Sequence, residues 1–336
     1  MVLNCESILN QYSATHILYI NDLIRSTKHS FVLKMNYIKK VKIDKLFDEL
    51  DINWNLDPKV NILIGKNGSG KSTLLSLIKN FFRSEAQSLA HLDVNSIDIE
   101  IENDDVEQIN LCYINTFEMY LENLQQLSEN SQAKNDLKTE LDVILEHLIN
   151  DWKNYLLKRK NLAETVTIAF DQKIREISSK ETGNEHDFQE LKKLLNEKTK
   201  QINDIYYYRD NFIEQINHLF SDSNKRIDFD ENNAIIFKNN NNKSLSVYEL
   251  SSGEKQILII LLNVLIQENK PTVILMDEPE VSLHLAWQLD LIDMIQNLNQ
   301  NCQIIIVTHS AGVFNKGWKD KITKIENITS QSESHD

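Results

Sequence analysis

The sequence predicts an α/β fold in which a mostly parallel sheet is interrupted by a helical insertion. Three observations carry that prediction. VNILI at 60–64, TVILMD at 272–277 and QIIIVT at 303–308 are unbroken apolar runs bounded by polar residues, as expected of strands buried on both faces of a parallel sheet. The first run ends in a glycine-rich loop, GKNGSGKST, and a helical pattern starts from Lys71. Between the first run and the other two, residues 118–220 hold one glycine, Gly183, and no proline. Such a stretch favours long uninterrupted helices.

Taken in order, residues 1–29 place Ile8, Leu9, Tyr12, His16, Ile17, Ile20, Leu23 and Ile24 at helical spacing. They predict an amphipathic helix packed on its own domain or on a partner. Strands are expected around Phe31–Asn36, Lys59–Ile64, Ile97–Ile101 and Ile109–Asn115. In the insertion, Leu137, Leu141, Ile144, Leu148, Trp152 and Tyr155 form one arm. Phe188, Leu191, Leu195, Ile202, Ile205, Phe212, Ile216 and Leu219 form a second, in a heptad-like register interrupted at Lys198 and Arg209. The stretch SSKETGNEH would turn between them, and the second arm would extend about 50 Å. A coiled coil and an ordinary helical subdomain both fit this pattern. Strands at Arg226–Phe229 and Ala234–Phe237 follow, then an apolar helix from Gly253, the two buried strands and a strand near Ile322–Ile325. The division is therefore an N-terminal helix (1–29), two halves of one α/β domain (30–117 and 221–327), the insertion (118–220) and a polar tail (328–336).

Composition narrows the class of protein. No apolar run approaches the roughly 20 residues that span a bilayer, and MVLNCESILN is not a secretory leader. Cys5, Cys112 and Cys302 form neither a disulfide framework nor a zinc pattern. A cytoplasmic protein with no membrane partner is expected. The net charge is −14, whereas nucleic-acid binders usually carry a basic face. Short basic clusters, Lys39, Lys40, Lys42 and Lys45 or Lys158, Arg159 and Lys160, read first as solvated surface. Nucleic-acid binding stays open but is not indicated by the charge.

The loop Gly65, Lys66, Asn67, Gly68, Ser69, Gly70, Lys71, Ser72 and Thr73 fits G-x-x-x-x-G-K-[ST]. Gly65, Gly68 and Gly70 let backbone N–H groups approach phosphate oxygens, and the helix that begins at Lys71 adds its positive end. Lys71 would reach the β- and γ-phosphates of a nucleotide, and the Ser72 hydroxyl would bind Mg²⁺. Three of the chain's seven glycines stand in this loop, so a chance match is a poor account of it.

Asp277 ends the apolar run TVILMD and Glu278 follows it. Beside a phosphate loop, Asp277 suits the Mg²⁺ site and Glu278 suits a base for the attacking water. LSSGEKQ places Ser251, Ser252, Gly253 and Glu254 at a second helix start, another anion-binding end. One phosphate loop gives no use for that second end unless two chains meet head to tail. Taken alone, Ser251 or Ser252 would be an ordinary helix cap. His309 follows the run QIIIVT at the edge where open α/β sheets bind ligands. There a neutral imidazole could hold the γ-phosphate or the lytic water.

In this order and spacing, the motifs resemble the ABC ATPase superfamily: Walker A at 65–72, signature LSSGE at 250–254, Walker B ending at Asp277 and Glu278, and a switch His309. The resemblance covers residues 30–325 apart from the insertion. It implies ATP sandwiched between Walker A of one subunit and Ser251 and Gly253 of another, with Glu278 as base. DEPEVSLHLAWQ is similar to a stretch of the overcoming-lysogenization-defect (OLD) ATPases and their relatives, among them ATPase subunits of the Septu, PARIS and retron-associated anti-phage systems. Glu280, Leu283, His284 and Gln288 fit that stretch, while Leu285 replaces its usual proline. Transporter subunits tend instead to carry D-E-P-T-x-x-L-D.

OLD nucleases continue into a Toprim domain, but 27 residues follow His309 here, so nuclease activity is not expected of this chain. No Q-loop glutamine is evident where LCYIN ends at Asn115, Thr116 and Phe117. The leading expectation is an ATPase that acts as a sensor or regulatory subunit in anti-phage defence and controls a separate effector, a nuclease or toxin. The alternatives are a RecF- or Rad50-like DNA repair ATPase and a scaffold whose oligomer ATP stabilises.

Overall fold

A computed structural model of the chain describes residues 36–83, 94–102, 109–115, 139–179 and 185–331. The expected helix over 1–29, residues 31–35 of the first expected strand, Thr116, Phe117 and Leu137 lie outside them. Strands β1 (Ile38–Leu46), β2 (Leu50–Asn55) and β3 (Val60–Ile64) lead into helix α1 (Lys71–Arg83). Next come β4 (Ser96–Ile101), β5 (Asn110–Ile114) and the two long helices α2 (Glu140–Ser178) and α3 (Glu185–Phe220). A meander of β6 (Lys225–Phe229), β7 (Ile235–Asn239) and β8 (Ser244–Ser246) then precedes α4 (Ser252–Leu265). The chain continues through β9 (Thr272–Asp277), α5 (Leu285–Leu298), β10 (Cys302–Val307), α6 (Ala311–Phe314), β11 (Ile322–Lys324), α7 (Ile325–Ile328) and β12 (Thr329–Gln331).

The five strands ordered β11-β3-β10-β9-β5 make one sheet, and every pairing in it is parallel. The three apolar runs read from the sequence supply its central strands, and all six residues of β10 are buried. Alternation sorts their side chains into two cores. Ile62, Ile114, Ile274, Met276, Ile304 and Ile306 face α4, α5 and the roots of the long helices. Leu63, Tyr113, Val273, Leu275, Ile305 and Val307 face α1 and the antiparallel sheet β12-β2-β1-β4. Helix α4 is buried along nearly its whole length because it lies between the sheet and those roots.

Two expectations need correcting here. Among the described residues Asn36 lies just ahead of β1, β1 occupies residues read only as a basic cluster, and β2 occupies residues given no element. In IKKVKIDKL the buried Ile38, Val41, Ile43 and Leu46 are interleaved with outward lysines. That is the signature of a sheet with one wet face. Lys39 pairs with Glu102 at 2.9 Å and Glu100 at 3.6 Å, so this charge is balanced on the sheet surface. The polar tail is not wholly a tail either. Thr329–Gln331 pairs antiparallel with the free edge of β2, which satisfies backbone groups that a hydropathy reading cannot see.

The insertion is an antiparallel pair of helices, with 39 residues in α2 and 36 in α3. Its root is aromatic: Trp152 lies 5.7 Å from Phe212, 5.7 Å from Phe229 and 5.9 Å from Tyr155 between ring centroids. Further out, Lys198 is ion-paired across the seam with Asp171 at 2.7 Å. Phe188 is 63% exposed and Leu195 51% exposed, whereas Ala163, Val166, Phe170 and Ile177 of α2 are buried, so the seam is packed along α2 but leaves part of the α3 heptad uncovered. Among the described residues, no helix is long and apolar enough to cross a membrane.

Candidate functional site

The site lies at the carboxyl edge of the parallel sheet, where β3, β9, β10 and β5 end side by side. The loop after β3 turns through Gly68 at φ 78° and Gly70 at φ 87°, conformations that glycine adopts without strain. A Cβ on Gly65 would stand 2.5 Å from the Ile325 side chain, so this glycine is fixed by close packing. Lys71 is buried, and its ammonium donates to the carbonyls of Gly65 at 3.1 Å and Lys66 at 2.8 Å. Those bonds curl the loop around the cation. The N–H groups of the loop and of the first turn of α1 are then available to an anion.

At the end of β9, Asp277 accepts from the Ser72 hydroxyl at 3.0 Å on one oxygen and from the Asn115 amide at 3.2 Å on the other. Sequence reasoning found Ser72 and Asp277 and could not name the residue from the β5 side. Asn115 takes that place, immediately after β5. A hydroxyl, a carboxylate and an amide make an all-oxygen set suited to a hard ion such as Mg²⁺. The donor set therefore fits the metal that the phosphate loop implies.

Glu278 follows at φ 46°, a left-handed conformation that is unusual outside glycine and costs on the order of 1–3 kcal/mol. The bend aims its carboxylate across the sheet edge at His309, with 3.3 Å between Glu278 Oε1 and His309 Nε2. Burial raises the Glu278 carboxyl, the adjacent Glu280 carboxyl and Asp277 raise it further against the His309 N–H, and together they push it up to about 7.

A cavity of about 590 Å³ opens here, lined by Phe47, residues 67–73, Glu278, Val281 and His309. Phe47, missed by the sequence reading, is 43% exposed and sits on a left-handed turn between β1 and β2, with Lys45 at φ 54° and Asp48 at φ 61° beside it. An aromatic face at the mouth of a phosphate site can stack a base.

The signature residues are arranged differently. Ser251 caps α4: its hydroxyl accepts the Glu254 N–H at 3.3 Å, and its own N–H donates to the Glu254 carboxylate at 2.8 Å. Burial would raise the Glu254 carboxyl, but Lys225, Ser223 and the cap hold it below the usual range. Ser251, Ser252, Gly253 and Glu254 do not line the cavity beside the phosphate loop. Gly253 instead packs on the turn that follows Glu278, where a Cβ would lie 2.5 Å from the Ser282 carbonyl oxygen. Gly253→Ala should therefore displace that turn. The expected result is a loss of about 1–3 kcal/mol in a denaturant melt, with turnover reduced as well.

The chain is similar to known proteins over parts of its length. Residues 115–315 match the family described as "AAA domain, putative AbiEii toxin, Type IV TA system". The chain is 36% identical over 84 residues to the Retron Ec83 probable ATPase of Escherichia coli, a match covering 22% of this chain and 16% of that protein. It is 27% identical over 99 residues to the Retron Vc95 probable ATPase of Vibrio cholerae serotype O1 biovar El Tor, covering 26% of this chain and 19% of the relative. A phosphate import ATP-binding protein PstB of Ehrlichia ruminantium (strain Gardel) is 42% identical over 65 residues, 19% of this chain and 24% of its own length. These alignments thus span less than a quarter of each relative. A Smc head domain from Pyrococcus furiosus aligns with a TM-score of 0.46 at 14% identity, covering 89% of this chain and 96% of that one.

Proposed function

The chain belongs to the AAA-domain family just described, and from that premise we propose that it hydrolyses ATP between two copies of itself to control a separate effector protein. The observation that carries this reading is the junction of Ser72, Asp277, Glu278 and His309 beside the loop that grips Lys71. It is one half of a hydrolytic site. The signature residues do not line that cavity, and the second half of the site is assigned to Ser251 and Gly253 of another copy.

In this reading the loop N–H groups and Lys71 bind the phosphates, and Phe47 offers a face to the base. Bound Mg²⁺, held by Ser72 and Asp277, would supply charge neutralisation of the phosphate oxygens. Glu278 orients a water and takes its proton as the water oxygen bonds to the γ-phosphorus. The bond from that phosphorus to the leaving ADP oxygen breaks, giving ADP and phosphate. His309, hydrogen-bonded to Glu278, holds the base and a γ-phosphate oxygen in register. The DEPE stretch and the likeness to retron ATPases support the finer assignment, an ATPase subunit of an anti-phage system.

Two measurements test this. Turnover per chain should rise with protein concentration and level off as the mass doubles in Mg-ATP. A concentration-independent rate from a chain that stays monomeric sinks the composite site. The effector assignment predicts that the product of an adjacent gene co-purifies with the chain and changes activity with ATP. Failure to bind and respond removes that assignment alone.

A further inference from the structure

Glu280 lies two residues beyond the base, is only 8% exposed and is not itself among the residues that line the cavity. Its Oε1 accepts the Thr308 hydroxyl, the His309 N–H at 3.2 Å and the Ser310 N–H at 3.1 Å. The other oxygen, also buried, has no hydrogen-bond donor among the described residues. Three donors gathered on one oxygen, two of them backbone N–H groups, make Glu280 the point at which the backbone of residues 308–310 is held.

The same His309 N–H also donates to Glu278 Oε2 at 3.2 Å. Both carboxylates therefore converge on one amide, and Glu280 anchors the residues on either side of it. The anchoring continues outward. The Ser310 hydroxyl donates to Gln288 and caps α6 by accepting from the Gly312 N–H at 3.1 Å. The Gln288 amide donates to the Leu283 carbonyl at 2.9 Å, in the same turn as Glu280. The segment that presents His309 is thereby tied to the segment that presents Glu278 by bonds that touch neither catalytic side chain's tip.

We propose that Glu280 is a positioning residue for hydrolysis: by holding the backbone of residues 308–310 it keeps His309 facing Glu278. This rests on the reading of the site given above. Glu280 is too enclosed to meet a water or a phosphate, so its effect falls on the rate of the chemical step and not on nucleotide binding. Misplacement of a reacting group by about 1 Å can cost about 100-fold in rate.

The test compares wild type, Glu280→Ala, Glu280→Gln and Thr308→Val for turnover and for affinity toward a non-hydrolysable ATP analogue. Glu280→Ala is expected to lower kcat about 100-fold, with analogue affinity unchanged. Glu280→Gln keeps an acceptor oxygen in place and is expected to recover most of the lost rate, and Thr308→Val to lose only part of it. If Glu280→Ala does not fold, as a melt will show, Glu280→Gln and Thr308→Val carry the comparison by the same split between rate and affinity. Full turnover in Glu280→Ala, or in Thr308→Val where the alanine variant does not fold, or affinity falling in step with rate, overturns the proposal. Wild-type turnover that depends on Glu278 is the control: its absence sinks the site reading, whereas its presence with Glu280→Ala at full rate sinks only this inference.

Discussion

Glu278→Gln should abolish ATP turnover and accumulate a dimer that holds unhydrolysed ATP. The amide has nearly the shape of the carboxylate and can still meet His309, so the geometry at 3.3 Å is expected to persist. It has lost the ability to take the water's proton. Removing a positioned general base typically costs about 100- to 10,000-fold. Binding should be spared, because Lys71, the loop N–H groups, Ser72 and Asp277 are untouched. Removing the carboxylate also relieves its repulsion with Glu280 and Asp277, which raises the Glu278 carboxyl in the wild type. The bound state of the variant should be no weaker for it. With hydrolysis blocked, association through Ser251 and Gly253 of the partner copy has no exit, and mass measurement in Mg-ATP should find twice the chain mass. A variant that still turns over at the wild-type rate assigns the base elsewhere. One that is inactive, binds ATP and stays monomeric removes the sandwich.

Much of this site was legible in the sequence, for identifiable reasons. The strands that carry it are buried on both faces, so VNILI, TVILMD and QIIIVT are unbroken apolar runs, and the phosphate loop, Glu278 and His309 each directly follow one, with Asp277 ending the second. The phosphate loop was readable because its backbone demands glycine where the chain otherwise has little. What went unseen depends on tertiary partners. Asn115 matters because β5 sets it beside Asp277, and an asparagine at a strand end carries no such message by itself. Phe47 is shown by a left-handed turn after β1, a strand that lysines disguised as a basic patch. Glu280 was noticed only as part of a motif. Its work is visible once Thr308, His309 and Ser310 are seen converging on it. The heptad pattern in α3 overstated the packing, since periodicity records which side chains share a face and not whether a neighbour covers it.

The largest expected loss of stability lies where the helical arm meets the signature helix. Asp142, in the first turn of α2, is paired with Lys255 of α4 at 2.7 Å, and both side chains are buried. Lys255 follows Glu254, which is itself paired with Lys225 at 2.7 Å just beyond the end of α3. Both roots of the arm are thus fastened to consecutive residues of α4. Asp142→Ala would leave a buried ammonium without its partner, and breaking such a pair typically costs about 3–5 kcal/mol. Replacing both residues, as in Asp142→Leu with Lys255→Met, should recover most of that loss, because a buried ion pair contributes little over apolar packing. Acid should reproduce part of the single variant's effect. Burial alone would raise the Asp142 carboxyl, but Lys255 and the Thr139 cap hold it below the usual carboxylate range, and Glu254 is held low likewise. A carboxyl lowered in the folded state stabilises above its unfolded pKa of about 4, and that stabilisation is lost as the pH falls through the lower folded value. Denaturant melts at pH 7 and near pH 3 should therefore differ more for the wild type than for the double variant. Equal differences, or a single variant as stable as the wild type, would show that the pair contributes nothing to the junction.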